Sequence, residues 1–339
     1  MNEVANNIEG GRMAEAIDRE VANVVGSYNF SAQASVSLLG ESENRVYLVN
    51  DPELSQKYVL RVNSGRLSYH NPSSIASELM WLTAVRQDTD IIVPDVLCAT
   101  DGSTVKTITA TDLDKPRHVA VYSFLPGIEP PEDQLVSGFE RLGEISARMH
   151  LHSRAWTPDP AFDRHFWTPE TILEDQLNWG KWQDGVGIKG EVQTLLSRLE
   201  DVVRRRLAGL PRDRERFGLI HADLRLANLL VDGDTTSIID FDDCGFGWYL
   251  FDLASALSFL EERPDVPELI DAWLTGYRKL AAIPVDIEAE LPTLIMLRRL
   301  ALIGWVGYQQ NHLVFARDIG VGFTEDSCRL ADDYLKKFS

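Results

Sequence analysis

The chain has 339 residues, long for one domain and suited to two lobes. Hydrophobic residues make up 44% and charged residues 25%, enough for a core, so a wholly disordered chain is excluded. A net charge of −19 repels phosphate backbones, so neither nucleic acid nor an anionic membrane is an expected partner, whereas a cationic small molecule is tolerated.

Cys98, Cys244 and Cys328 are far apart and form no Cys-x-x-Cys pair, so no disulfide framework or zinc site is expected. Met1-Asn-Glu-Val-Ala-Asn-Asn lacks the basic start and apolar run of a secretory signal. The most apolar stretch, Leu294 to Tyr308, is interrupted by Arg298 and Arg299 and is too short to span a bilayer. The expected compartment is a reducing cytoplasm.

Helical spacing over 12–25 ends at Gly26. A strand-rich block follows: 35–39 running into Gly40, 44–49, and 57–62 after the turn at Asp51-Pro52. Pro72 near a first turn predicts a helix carrying Ile75, Leu79, Leu82 and Val85. Segments 93–97, 104–110 and 118–124 read as further strands, and Leu125-Pro126-Gly127 as a breaker between lobes. Beyond it the pattern turns helical, over Asp133 to His152, 189–208, and near 249–262, 266–282, 288–312 and 324–337. The stretch 155–187, rich in tryptophan and proline, reads as an insertion or lid.

The chemistry is concentrated in two segments. Gly218-Leu-Ile-His221-Ala-Asp223-Leu-Arg-Leu-Ala-Asn228 is followed by Ile238-Ile-Asp240-Phe-Asp242-Asp243. Phosphoryl transfer from a nucleotide needs a carboxylate to receive a hydroxyl proton and oxygen ligands that hold a divalent metal against the phosphates. Asp223 suits the first role. Asn228 and Asp240 suit the second, because Mg²⁺ takes hard oxygen donors and keeps several waters.

These segments resemble the catalytic and metal-binding loops of the protein-kinase-like small-molecule phosphotransferases, which include aminoglycoside phosphotransferases, choline kinases and type II homoserine kinases. Ala222 stands where protein kinases carry Arg, Asp242 replaces the Gly of Asp-Phe-Gly, and no Ala-Pro-Glu follows. The resemblance implies an α+β, bilobal protein-kinase-like fold. A β-rich nucleotide-binding lobe would span 1–125 and a mainly helical catalytic and substrate-binding lobe 126–339. It also implies ATP and Mg²⁺ as cofactors and a small-molecule hydroxyl acceptor.

The resemblance places a phosphate-covering turn at Gly40, although one glycine is also what a routine hairpin carries. Arg61 stands where the family has its nucleotide-binding lysine, and Glu78 matches its acidic partner. The alternatives are an exposed edge-strand arginine and a wet helix face. Ser123 and Leu125, in a strand ending Leu-Pro-Gly, match the segment that holds adenine.

His221 is expected to brace its loop. His150 and His152 form a His-x-His pair whose alternative to metal ligation is a structural helix end. Asp242 and Asp243 are candidates for binding a substrate ammonium, or lie on a solvated turn. Trp167, Trp179, Trp182 and Trp305 offer a cation–π wall or core packing. Arg298-Arg299 offers a substrate carboxylate site or a solvated or ion-paired surface. The leading expectation is an ATP-dependent kinase for an amino alcohol, amino acid or aminoglycoside-like acceptor. The alternatives are a Ser/Thr protein kinase of the same fold and a nucleotide-binding pseudokinase.

Overall fold

Helix α1 (Asn2–Val25) leads into three antiparallel strands, β1 (Ser35–Glu41), β2 (Arg45–Asp51) and β3 (Gln56–Val62), in a computed structural model that describes residues 2–131, 134–174 and 179–339. Helix α2 (Pro72–Asp88) and strands β4 (Val96–Leu97), β5 (Lys106–Ile108) and β6 (Arg117–Ser123) follow. The chain divides into two units, the first containing residues up to Gln87, Val93–Pro126 and Pro160–Asp163.

Among the described residues of this unit, the six strands form one antiparallel sheet in the order β1-β2-β3-β6-β4, with β5 also on β6. Alternation in β2 buries Tyr47 and Val49, and β3 buries Leu60 and Val62 beside them. Ile17 and Val21 of α1 join this core. Because β3 lies between β2 and β6, Arg61 is on an inner strand, and the edge-strand alternative is excluded. The expected strand over 93–97 shrinks to β4, since Pro94 supplies no N–H for a ladder.

The second unit begins its main run at Gly127. It contains α3 (Leu135–Ala155), β7 (Phe166–Trp167), α4 (Pro169–Ile172), α5 (Glu191–Leu207) and β8 (Phe217–Ile220). Then come the hairpin β9 (Leu229–Asp232) and β10 (Thr235–Ile238), and β11 (Gly245–Trp248), which pairs with both β7 and β8. Helices α6 (Phe251–Ala256), α7 (Val266–Arg278), α8 (Val285–Ala289), α9 (Leu291–Gln309) and α10 (Val314–Phe338) complete it. Helices α3 and α7 meet backbone to backbone: a Cβ on Gly143 would sit 2.0 Å from the Trp273 carbonyl oxygen, and one on Gly276 would sit 1.9 Å from that of Glu140.

The start of the expected helix at Asp133 lies outside the described residues; α3 begins at Leu135. The expected helix over 249–262 stops at Ala256, and Phe259 takes a left-handed φ of 67° in the turn that follows. Helix α10 begins well before the expected 324, with a break at Gly320. By length and composition α9 could cross a membrane, yet 78% of its apolar window is buried within the protein.

In the stretch 155–187, residues 175–178 lie outside the described residues. Most of its described part lies outside helix and strand, as expected. It supplies β7 and α4 and buries Trp167, Trp179 and Trp182. Trp182 donates to Glu200 Oε2 at 2.7 Å, and Thr324 donates to the Val186 carbonyl at 2.7 Å, tying the segment to α5 and α10. Large indoles gain most by leaving water, so core packing prevails over an open wall.

Candidate active site

Strand β8 delivers His221 into a tight turn at its end. Ala222 there has a left-handed φ of 65° and Asp240, after β10, has a φ of 64°. Non-glycine residues in this region are uncommon, and they persist where surrounding contacts over-determine them. Those contacts are present. The Asp252 carboxylate, in the first turn of α6, accepts the Ala222 N–H at 2.7 Å and the His221 N–H at 3.2 Å. His150 of α3 donates from Nε2 to the same carboxylate at 2.9 Å, and its Nδ1 takes the Tyr277 hydroxyl at 3.2 Å. His221 Nε2 lies 3.2 Å from the Ile239 carbonyl oxygen, the residue before Asp240. Burial lowers the pKa of both histidines, so each serves as a neutral ring.

His221 therefore braces the loop. His150 and His152 do not form a pair: His152 faces Asp88 at 3.2 Å, which excludes the shared metal reading. Among the described residues, no group of three or more His, Cys, Asp or Glu side chains is placed to hold a metal.

Asp223 is held from three sides. Arg298 Nη2 donates to Oδ1 at 2.6 Å. Arg225 Nε lies 3.2 Å from Oδ1 and 3.3 Å from Oδ2. Asn228 Nδ2 donates to the Asp223 carbonyl at 2.8 Å and to Oδ2 at 3.1 Å. Burial raises the Asp223 pKa, but Arg225 and Arg298 outweigh it and hold the carboxyl below its ordinary range.

The donor set fits a divalent cation. Both partners of the Asn228 amide nitrogen are oxygens, so the nitrogen must face them and Oδ1 turns the other way. The Asn228 carbonyl accepts the Ile239 N–H at 3.0 Å, which brings Asp240 next to it in space. Asp240 is exposed. An amide oxygen and a carboxylate suit Mg²⁺, which is commonly bound by one or two protein groups plus phosphates and waters.

In the first unit, Arg61 Nη2 and Glu78 Oε2 are 2.7 Å apart, with the residues 5% and 0% exposed. The Tyr122 hydroxyl donates to Glu78 Oε1 at 3.3 Å, and the Arg61 guanidinium lies 5.4 Å from the Tyr122 ring centroid. The wet-face alternative for Glu78 is excluded. Gly40 lies in β1, where an added Cβ would meet nothing, so neither space nor backbone conformation requires glycine. Ser123 exchanges bonds with Asp95 through its N–H (2.9 Å) and hydroxyl (2.8 Å), which takes up two of the groups expected for adenine. Leu125 is half-buried.

Asp242 and Asp243 separate. Asp242 is buried, with its carbonyl held by Arg164 at 2.5 Å. Asp243 Oδ1 lies 3.4 Å from Trp179 Nε1, and its charge acts on Arg225 and Arg298. Arg298 and Arg299 are both buried, which overturns the readings that gave them a substrate carboxylate or an exposed surface. Arg299 pairs with Glu261 at 2.7 Å. Trp179 serves as a wall for Arg298, whose guanidinium lies 4.4 Å from its ring centroid.

Reading the sequence missed Asp252 and the attachment of Arg298 to Asp223. A carboxylate inside the apolar run Trp248-Tyr-Leu-Phe-Asp252-Leu-Ala signals a buried partner, because such groups are rarely buried unpaired. Arg298 carried the same signal inside α9.

The chain is similar to a solved microcompartment-associated aminopropanol kinase, with 41% identity, coverage of 94% of this chain and 97% of that one, and a TM-score of 0.83. It is 25% identical over 330 residues to amicoumacin kinase of Bacillus subtilis (strain 168), covering 90% of this chain and 92% of that protein. A solved amicoumacin kinase in complex with AMP-PNP and Ca²⁺ shares 24% identity and a TM-score of 0.74, with 93% of each chain covered. The family model described as "Phosphotransferase enzyme family" matches residues 36–286, and the chain belongs to that family of ATP-dependent small-molecule kinases.

Proposed function

We propose that this phosphotransferase transfers the γ-phosphoryl group of ATP to the hydroxyl of a small amino alcohol, with Mg²⁺ at Asn228 and Asp240. The observation that carries the acceptor class is the 41% identity to an aminopropanol kinase across nearly the whole chain. Asp223 orients the acceptor hydroxyl. A bond forms from that oxygen to the γ-phosphorus, the bond to the ADP oxygen breaks, and the hydroxyl proton passes to the carboxylate. The lowered pKa of Asp223 suits this role, since a loose transition state needs proton acceptance only late. When bound, the metal ion neutralises phosphate charge.

Arg61, fixed by Glu78, is the cation that meets nucleotide phosphate, in place of a lysine. The turn that follows Gly40 contributes the phosphate cover, and the segment that runs from Ser123 to Leu125 contributes the adenine site through backbone groups other than the Ser123 N–H. Asp243 is the carboxylate that meets the substrate ammonium. Asp242 supports the turn from its buried side.

The test is an acceptor screen scoring ADP release with purified protein, Mg-ATP and a panel of aminopropanol, ethanolamine, choline, homoserine, kanamycin, glycerol and a serine peptide. Turnover is expected on the amino alcohols. Phosphorylation confined to glycerol or to the peptide would overturn the amine reading.

A further inference from the structure

Arg298 lies in the middle of α9 and is 1% exposed. Every nitrogen of its guanidinium has a partner. Nε donates to Ser258 Oγ at 3.0 Å, Nη1 to the Ala222 carbonyl at 3.1 Å, and Nη2 to Asp223 Oδ1 at 2.6 Å. Trp179 closes the face of the group at 4.4 Å. The planar fork therefore grips the backbone just before Asp223 and the carboxylate itself, which together determine where the Asp223 oxygens point.

The second arginine at Asp223 has a different character. The Arg225 side chain is 32% exposed, and its contacts with both oxygens exceed 3 Å. Arg298 is the short, buried attachment, and Asn228 restrains the other oxygen at 3.1 Å.

We propose that Arg298 is a positioning residue for the transfer reaction, locking Asp223 Oδ1 so that the carboxylate presents its remaining edge to the acceptor hydroxyl. This rests on the reading of Asp223 as the group that receives the hydroxyl proton. A buried arginine also stabilises a fold by neutralising a buried carboxylate, and that bland role has to be separated from positioning.

The chain contains its own control. Arg299 is equally buried (2% exposed), pairs with Glu261, and lies over the Phe323 ring at 3.6 Å. Its other partners, Ser327 and the Phe323 carbonyl, are on α10 rather than on the Asp223 loop. Substituting it tests loss of a buried charge on the same helix without touching Asp223.

The experiment compares Arg298→Lys, Arg298→Ala, Arg299→Lys and Asp223→Asn in the full chain, measuring kcat, the KM for Mg-ATP and for an amino alcohol, and Tm. Arg298→Lys is expected to lose at least about 100-fold in kcat, the scale of a misplaced catalytic group, with the Mg-ATP KM within about threefold. Arg299→Lys is expected to lose comparable Tm and less than about threefold in kcat. Millimolar guanidinium should restore part of the kcat of Arg298→Ala and none of that of Asp223→Asn. If Arg298→Ala does not fold, the Arg298→Lys and Arg299→Lys pair still decides.

Unchanged kcat in folded Arg298→Lys would overturn the positioning role, as would losses matched by Arg299→Lys. Wild-type turnover in Asp223→Asn would instead remove the reading of Asp223 on which the proposal rests.

Discussion

His150 and Asp252 form a fully buried pair, Nε2 to Oδ2 at 2.9 Å, that joins helix α3 to the start of α6. The same carboxylate receives the backbone of His221 and Ala222, so one side chain connects the core of the second unit to the loop that carries Asp223. Asp252→Asn replaces an acceptor of charged strength with an amide that presents an N–H toward donors. It should cost about 1.5–3 kcal/mol, the range for a hydrogen bond to a charged group. Urea denaturation with an unchanged midpoint and slope would contradict this.

The buried histidines set a pH dependence. Burial lowers the pKa of His150 and His221 in the folded chain, against an unfolded value of about 6.5. Above that value the rings are neutral in both states and the stability is fully present. As pH falls, the unfolded chain binds protons first, and stability declines until the lowered native values are passed. Tm should therefore drop as pH falls below about 6.5. His150→Gln should be less stable at pH 7.5 but show a shallower decline. A parallel decline in variant and wild type would show that His150 is not a source of the slope.

Asp223→Asn should leave Mg-ATP affinity nearly unchanged and reduce turnover by about two powers of ten or more, the scale of a lost general base. Single-turnover rates close to wild type would exclude Asp223 as proton acceptor.

Asp240→Ala should abolish Mg-dependent nucleotide binding, and Asn228→Ala should weaken it less, because a neutral amide contributes less to the ion. Calorimetry gives both outcomes. Mg-ATP binding that survives Asp240→Ala would place the metal elsewhere.

Asp243→Asn should raise the acceptor KM about tenfold while leaving the ATP KM in place, since a hydrogen bond to a charged group is worth about 1.5–3 kcal/mol. Asp242→Asn should leave both KM values unchanged, because its carboxylate is buried. Equal effects of the two substitutions would show that Asp243 has no special access to the amine.

The sequence made the alternation in β2 and β3 legible because one face of each strand is buried. The order His221, Asp223, Asn228 and Asp240 was legible because those residues happen to lie close together along the chain. Asp252 and Arg298 were not, since their partners lie 30 and 75 residues away in sequence and only folding brings them together. The turn at Phe259 was hidden for another reason: a left-handed phenylalanine has no turn signature. In the stretch 155–187 the irregular path was legible but the burial of its tryptophans was not, because tryptophan occurs in loops and in cores alike.

The glycine contact between α3 and α7 has a bearing on which changes the chain can accept. Gly143 lies two helical turns before His150, and Gly276 adjoins Tyr277, which donates to that same histidine. A single methyl at either glycine would wedge the two helices apart, since the atoms it would meet belong to the backbone of the facing helix. The displaced histidine would pull on Asp252, and through it on the loop that carries Asp223. Tolerance to substitution in this protein is therefore not graded by distance from the reacting atoms. A methyl deep in the helical unit can count for more than a lost charge at the rim of the site.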